Sequence, residues 1–231
     1  MLGGAGIFSI PFDVAPFRLS GTVYGALFNH RSVLAALGLA VNQPPYGAPP
    51  KAPVLFVKPP NTLAVSGSVV RIPPATPELE IGAAVGVVIG RTACRVSESS
   101  ALDFVAGYLI VADVSIPHSS YHRPAVRCKA RDGFCPLGPQ VTARAAAPKT
   151  DALTIRTHVD GVLVQSASTA DLIRPAARLL ADVTDFMTLS PGDVLALGAA
   201  GPAPRARAGQ IVTIDVDGLG RLSIPFLDAA A

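Results

Sequence analysis

Apolar and polar positions alternate in short, frequently interrupted runs along this chain, and the elements they predict are mostly strands. From Ser20 the text runs Gly21-Thr22-Val23-Tyr24-Gly25-Ala26-Leu27-Phe28, a β-type segment that ends at Asn29-His30. Ser32 to Leu39 has helical character with Ser32 as an N-cap. Asn42 to Pro53 carries five prolines in twelve residues, which neither a helix nor a central strand accepts, so an extended connection is expected. Strands are predicted over Val54 to Val57, Ala64 to Val65, Val69 to Ile72, Ala83 to Ile89 and Tyr108 to Val114. Between the last two, residues 98–106 are expected to be helical, with Glu98 and Asp103 on the polar side. Asp160-Gly161 joins Leu153 to Val159 and Val162 to Gln165 as a hairpin. Thr169 to Phe186 is the strongest helix, since Leu172, Ala176, Leu179, Leu180 and Val183 recur at helical spacing. A turn at Ser190-Pro191-Gly192-Asp193 precedes a strand over Val194 to Leu197. An Ala/Gly/Pro/Arg loop over 199–209 leads to strands at Ile211 to Val216 and Arg221 to Ile224. Many short strands with few helices define a β-rich α+β chain, and the absence of an internal period excludes solenoids.

Composition narrows this picture. Half of the 231 residues are hydrophobic and only 15% are charged, which argues against disorder and for some apolar surface hidden in an oligomer. One domain over 21–231 is expected, preceded by an irregular arm over 1–20. The net charge of +3 is scattered, apart from Arg123, Arg127, Lys129 and Arg131, so no nucleic-acid partner is expected and small anions fit better. No run approaches the roughly 20 apolar residues of a membrane helix. Met1 to Phe8 lacks the basic residues of a secretion signal, and Cys94, Cys128 and Cys135 form no paired framework. A cytoplasmic protein with reduced thiols is the expectation.

Several segments, taken in order, carry a resemblance. They are Phe56-Val57-Lys58-Pro59-Pro60-Asn61-Thr62, Ala106-Gly107-Tyr108, Asp113-Val114-Ser115 and Lys129-Ala130-Arg131-Asp132-Gly133-Phe134-Cys135-Pro136-Leu137-Gly138-Pro139. Phe186-Met187-Thr188-Leu189-Ser190-Pro191-Gly192-Asp193-Val194, Gly218-Leu219-Gly220 and Ile224-Pro225 complete the set. Together they resemble the fumarylacetoacetate hydrolase superfamily from about residue 20 to the end. That implies a mixed-sheet β-sandwich or roll of the family's C-terminal-domain type. Leu27-Phe28-Asn29-His30-Arg31, Pro45-Tyr46-Gly47-Ala48-Pro49-Pro50-Lys51 and Tyr121-His122-Arg123-Pro124-Ala125 are similar to one branch. Its members are isomerases and decarboxylases of aromatic (homoprotocatechuate) catabolism, made of two similar halves, of which one half is present here.

The resemblance implies enolate chemistry on a small 2-oxo or dicarboxylate substrate. A divalent metal, Mg or Mn, would chelate the substrate's oxygens, and a lysine beside it would stabilise the enolate. Lys129 takes the catalytic position, Asp113 the metal position, and Lys58, Asn61 and Asp132 the substrate-binding positions. The family's two glutamates, however, fall on Gly82 and Ala84, and its threonine-bearing turn becomes Gly198-Ala199-Ala200. Glu78-Leu79-Glu80 offers two carboxylates on one strand face, displaced by four residues; a solvated approach to the strand is the plainer account. His30 sits where the resemblance implies a lid histidine, or else it caps the following helix; His118 and His122 are weaker candidates. Cys135 is expected to be a buried packing thiol. Three functions stay open. The chain is a subunit whose homologous partner carries the intact metal site, a homodimer being the other partner expectation. Alternatively it is an autonomous enzyme using Asp113 with Glu78 and Glu80, or a non-catalytic paralogue that scaffolds or binds a dicarboxylate.

Overall fold

The computed structural model describes residues 10, 15–16, 18–44, 47–118 and 125–229. In chain order the strands are β1 (Val23–Leu27), β2 (Val54–Lys58), β3 (Leu63–Ala64), β4 (Val70–Ile72), β5 (Leu79–Ile89), β6 (Val105–Ser115) and β7 (Cys135–Pro136). There follow β8 (Thr142–Ala143), β9 (Thr154–Val159), β10 (Val162–Ser168), β11 (Val194–Ala196), β12 (Arg205–Ala206), β13 (Ile211–Val216) and β14 (Gly220–Asp228). The α-helices are α1 (Arg31–Leu37), α2 (Val126–Lys129) and α3 (Ala176–Thr184). One sheet runs β2-β1-β11-β5-β6-β8 with β12 also on β5; a second runs β10-β9-β13-β14-β4; β3 and β7 pair separately. Because β1 lies parallel to β11 while β5 and β6 are antiparallel, the large sheet is mixed, as the sequence predicts for a β-rich α+β chain.

The long pair β5–β6 is the spine of the molecule. Its Ile81, Val85, Val87, Ile110 and Val114 face the second sheet, where Ile155, Ile214, Leu222, Ile224 and Phe226 join them, with Leu179, Leu180 and Val183 of α3, in one core. The opposite face carries Ala84, Val88, Leu109 and Val111, which pack with Val23, Cys135, Leu137 and Val194. Strands buried on both faces lose polar alternation, which is why this stretch is so uniformly apolar. Where side chains shrink on that second face, at Gly82 and Ala84, a cavity opens.

Local departures from the sequence expectation have local causes. β5 begins at Leu79, four residues before Ala83, because β12 pairs with it there. Residues 98–106 form only a 3-10 turn, Ala101–Phe104, before β6 takes over. The long helix expected over Thr169 to Phe186 is divided into a 3-10 turn, Thr169–Asp171, and α3; Pro175 lies between them and disfavours helical backbone at Arg174. The residues of its apolar stripe, Leu172, Ala176, Leu179, Leu180 and Val183, are nonetheless all buried. The cap of α1 is His30 and not Ser32. Asp160 and Gly161 both adopt positive φ, as the hairpin turn requires. Tyr46, His122, Arg123 and most of the expected arm lie outside the described residues.

Gly107 is a sharp test of this packing. A Cβ there would lie 2.3 Å from the Thr142 carbonyl oxygen, a backbone atom that pairing with β8 holds in place. Gly107→Ala is therefore expected to cost about 1–3 kcal/mol in urea unfolding. An unchanged midpoint would contradict the β6–β8 pairing.

Candidate functional site

Strand periodicity places Glu80, Gly82 and Ala84 on one face of β5, and the register sets Gly82 opposite Asp113 and Glu80 opposite Ser115. With no side chain at Gly82 and a methyl at Ala84, the strand leaves a cavity of about 510 Å³. The size is that of a small-molecule site. Val33, Ala36 and Leu37 of α1 close one side, Phe56 another, and Gly198, Ala199 and Ala200 a third. Asp113 and Lys129 both line it.

At its base lies an ion cluster. In β2, Val57 points to solvent and Lys58 points inward, where its side chain has no solvent exposure. The Lys58 ammonium donates to the carbonyls of Val114 (2.7 Å), Lys129 (2.8 Å) and Phe134 (2.9 Å). Those bonds use its three protons. Asp113 Oδ1, 2.9 Å away, is therefore a fourth neighbour held by charge, without a hydrogen-bond donor of its own. Lys129 ends α2 and donates to Asp113 Oδ2 at 2.5 Å, with its Nζ 4.6 Å from the centre of the Phe56 ring.

Burial raises the Asp113 carboxyl, but the charges of the two lysines and the hydrogen bond from Lys129 outweigh it, so the net direction is down and the group stays ionised. Burial is also the largest influence on Lys58 and lowers it, against the pull of Asp113. Three carbonyls at hydrogen-bond distance still require the charged form, since a neutral amine has only two protons.

Of the residues singled out from sequence, the structure brings Lys129 and Asp113 together in the cavity. It puts Lys58, Asn61 and Asp132 elsewhere. Lys58 lies under the floor with its donors used, so it positions the backbone of β6 and α2 and does not reach a ligand. Asn61 donates to Asp132 Oδ1 at 2.7 Å and to the Ala130 carbonyl at 3.3 Å, on the exposed outside of the loop after α2. These two brace the loop; neither is a wall of the cavity. His30 accepts the Ser32 N–H on Nδ1 at 3.2 Å and is a cap, with burial pushing its imidazole down. His118 does line the cavity. Cys135 is fully buried, and burial first of all pushes its thiol up to about 12.

Sequence reasoning missed the mouth of the site. Arg205 of β12 sits opposite Glu80 and pairs with Glu78 (2.7 Å) and Glu80 (3.1 Å), while Arg207 reaches Glu78 at 3.4 Å. The signal was present as two period-two charge patterns of opposite sign, Glu78-Leu79-Glu80 and Arg205-Ala206-Arg207, the mark of paired strands. It also missed Phe56, which shares the inward face of β2 with Lys58.

The divalent ion implied by the resemblance does not fit these residues. Among the described residues no group of three or more His, Cys, Asp or Glu side chains could hold one. Glu78 and Glu80 are engaged by arginines, and both Asp113 oxygens face ammonium groups. A doubly charged ion about 4 Å from a single ammonium is repelled by roughly 8 kcal/mol at an effective dielectric near 20. With two ammonium groups against one carboxylate, the cluster presents a net positive charge to such an ion.

Comparison with known proteins agrees with this architecture. The family model for the fumarylacetoacetate (FAA) hydrolase C-terminal region matches residues 22–226. The chain is 40% identical over 210 residues to the 4-hydroxyphenylacetate degradation bifunctional isomerase/decarboxylase of Escherichia coli, covering 91% of this chain and 48% of that protein. It thus spans about half the length of that relative. The crystal structure of 5-carboxymethyl-2-hydroxymuconate delta-isomerase from Mycobacterium smegmatis superposes with a TM-score of 0.79 at 28% identity, over 92% of this chain and 81% of the other. A maleylpyruvate hydrolase from Sphingobium sp. SYK-6, in complex with manganese(II) and pyruvate, gives 0.75 at 25% identity, over 90% and 71%. No helix among the described residues is long and apolar enough to cross a membrane.

Two outcomes follow from the ion cluster. Lys58→Met strands three carbonyls and one side of Asp113, so it should cost about 3–5 kcal/mol in chemical denaturation; a loss below 1 kcal/mol would contradict the bonding described. With its thiol raised to about 12, Cys135 is ionised to roughly one part in ten thousand at pH 8. Thiol labelling of the native protein at that pH should modify exposed Cys94 and spare Cys135 until unfolding. Prompt labelling of Cys135, read by peptide mass, would show that the base of the site is open.

Proposed function

Because the chain belongs to the fumarylacetoacetate hydrolase family, we propose that it is one subunit of a two-part isomerase/decarboxylase of aromatic catabolism. A homologous chain with an intact set of metal-binding carboxylates would complete it. The observation that carries this reading is the match of 91% of the chain to 48% of a bifunctional relative, by a chain that holds one cavity wall of lysine and aspartate and lacks the other carboxylates. The reactions would be decarboxylation of 5-oxopent-3-ene-1,2,5-tricarboxylate and isomerisation of 2-hydroxyhepta-2,4-diene-1,7-dioate. Both place negative charge on an enolate oxygen.

This chain's own residues bear on that charge in a defined way. Lys129 is a protonated donor at the cavity wall, fixed in direction by Asp113 and by the face of Phe56. A donor already oriented toward developing charge lowers the barrier without reorganising at the moment of reaction. Lys58 holds the carbonyls of Val114, Lys129 and Phe134, and with them the relative position of β6 and α2.

A second reading has its own observation. Gly82 and Ala84 put no carboxylate opposite Asp113, and Glu80 on the same face is paired with Arg205, which favours a catalytically silent paralogue that supports an intact homologue or binds a dicarboxylate.

Purified chain, a homologue with an intact Glu-x-Glu strand, and the two coexpressed should be assayed for both reactions with Mg2+ or Mn2+. The expected result is no turnover by this chain alone, and a rate for the pair at least tenfold above that of the homologue alone. An equal rate with and without this chain would leave the silent-paralogue reading, and turnover by this chain alone would overturn both.

A further inference from the structure

We propose that the cavity is a metal-independent receptor for one small 2-oxo monocarboxylate, in which the single net positive charge of the Lys58–Asp113–Lys129 cluster stands where relatives would place a divalent ion. The inference rests on the reading of this cleft as a 2-oxo acid site and narrows it: the cluster engages one carboxylate, and the remaining carboxylates of the proposed di- and tricarboxylate substrates would meet the partner chain.

Charge bookkeeping is the first support. Lys58 and Lys129 contribute two positive charges and Asp113 one negative, all within 2.9 Å of one another's polar atoms, so the base carries +1. At the mouth, Glu78 and Glu80 pair with Arg205 and Arg207, and the sum is zero. Among the described residues the lysine–aspartate cluster carries one surplus positive charge and the Glu–Arg group none, which matches a ligand with a single anionic head and a neutral tail.

Donor inventory is the second. Lys129 is 6% exposed, its ammonium has three protons, and its hydrogen bond to Asp113 uses one. The Phe56 ring occupies a second side, and the remaining side belongs to a cavity wall. A buried cation whose other donors meet no acceptor among the described residues, beside an open volume, suits an anion, and a carboxylate oxygen makes the charge-assisted bond such a group forms. Lys58 cannot substitute, because its protons are taken by carbonyls.

Shape is the third. The volume of about 510 Å³ exceeds what pyruvate needs, and Val33, Ala36, Leu37 and Ala199 offer apolar contact to a longer body. A ligand with an alkyl tail should bind more tightly than pyruvate, by about fourfold for each methylene buried.

The test uses the intact chain, isothermal titration calorimetry, and two six-carbon acids that differ by one charge: 2-oxohexanoate and 2-oxoadipate. With EDTA present, 2-oxohexanoate is expected to bind with 1:1 stoichiometry, more tightly than pyruvate and than 2-oxoadipate. Replacing EDTA by Mg2+ or Mn2+ should change its affinity by less than twofold. Lys129→Met should weaken it about tenfold or more, the worth of one charge-assisted hydrogen bond. Lys129→Arg, which keeps the charge, and a melting curve for each variant separate lost binding from lost fold. Binding that appears only with metal, tighter binding of 2-oxoadipate, or no binding of either acid in EDTA would each overturn the proposal. None of those results bears on whether the paired chains turn over substrate, so failure here and failure of the subunit reading are distinct.

Discussion

Everything at the closed end of the cavity depends on Asp113 being held between two lysines. A carboxylate buried without partners would protonate or move, since desolvation disfavours its charge. Lys58 and Lys129 keep it ionised, and Asp113 in turn compensates the cost of burying two ammonium groups. Removing Asp113 would leave two buried ammonium groups uncompensated, and removing Lys58 would leave three carbonyls and one Asp113 oxygen without their cation. The cluster also ties together pieces of chain that are remote in sequence: the end of β2, the end of β6 and the last residue of α2.

That constraint explains why the site departs from what its family resemblance implies. Membership of the fumarylacetoacetate hydrolase family rests on the fold and on the match over residues 22–226, and both survive the loss of individual side chains. Chemistry does not survive it so easily. Gly82 and Ala84 keep β5 in register with β6 and free the volume of the cavity, yet they offer no ligand to a cation. The same small residues leave a cavity whose positive charge is supplied by side chains.

Much of the fold was legible in the sequence because burial dictates it. The apolar run around β5 and β6, the Asp160-Gly161 hairpin and the stripe on α3 follow from periodicity and turn chemistry alone. The misplaced boundaries came where a neighbour decided the outcome. β5 starts early because β12 pairs with Leu79 and Glu80, and the helix expected over Thr169 to Phe186 is broken by Pro175. In the site, Lys129 and Asp113 were legible through their motif. Lys58, Asn61 and Asp132 belong to the same motif but brace it from beneath and outside, a distinction that depends on side-chain direction. Arg205 was legible only as one half of a complementary charge pattern with Glu78-Leu79-Glu80, whose meaning depends on which strands pair.

The most direct measurement of the central claim is side-chain NMR of 15N-labelled lysines at neutral pH. The account predicts two slowly exchanging ammonium signals, assigned by Lys58→Met and Lys129→Met, both unchanged on adding Mn2+ to a few equivalents. A signal with the shift of a neutral amine, or paramagnetic broadening of the Lys129 resonance by Mn2+, would contradict it.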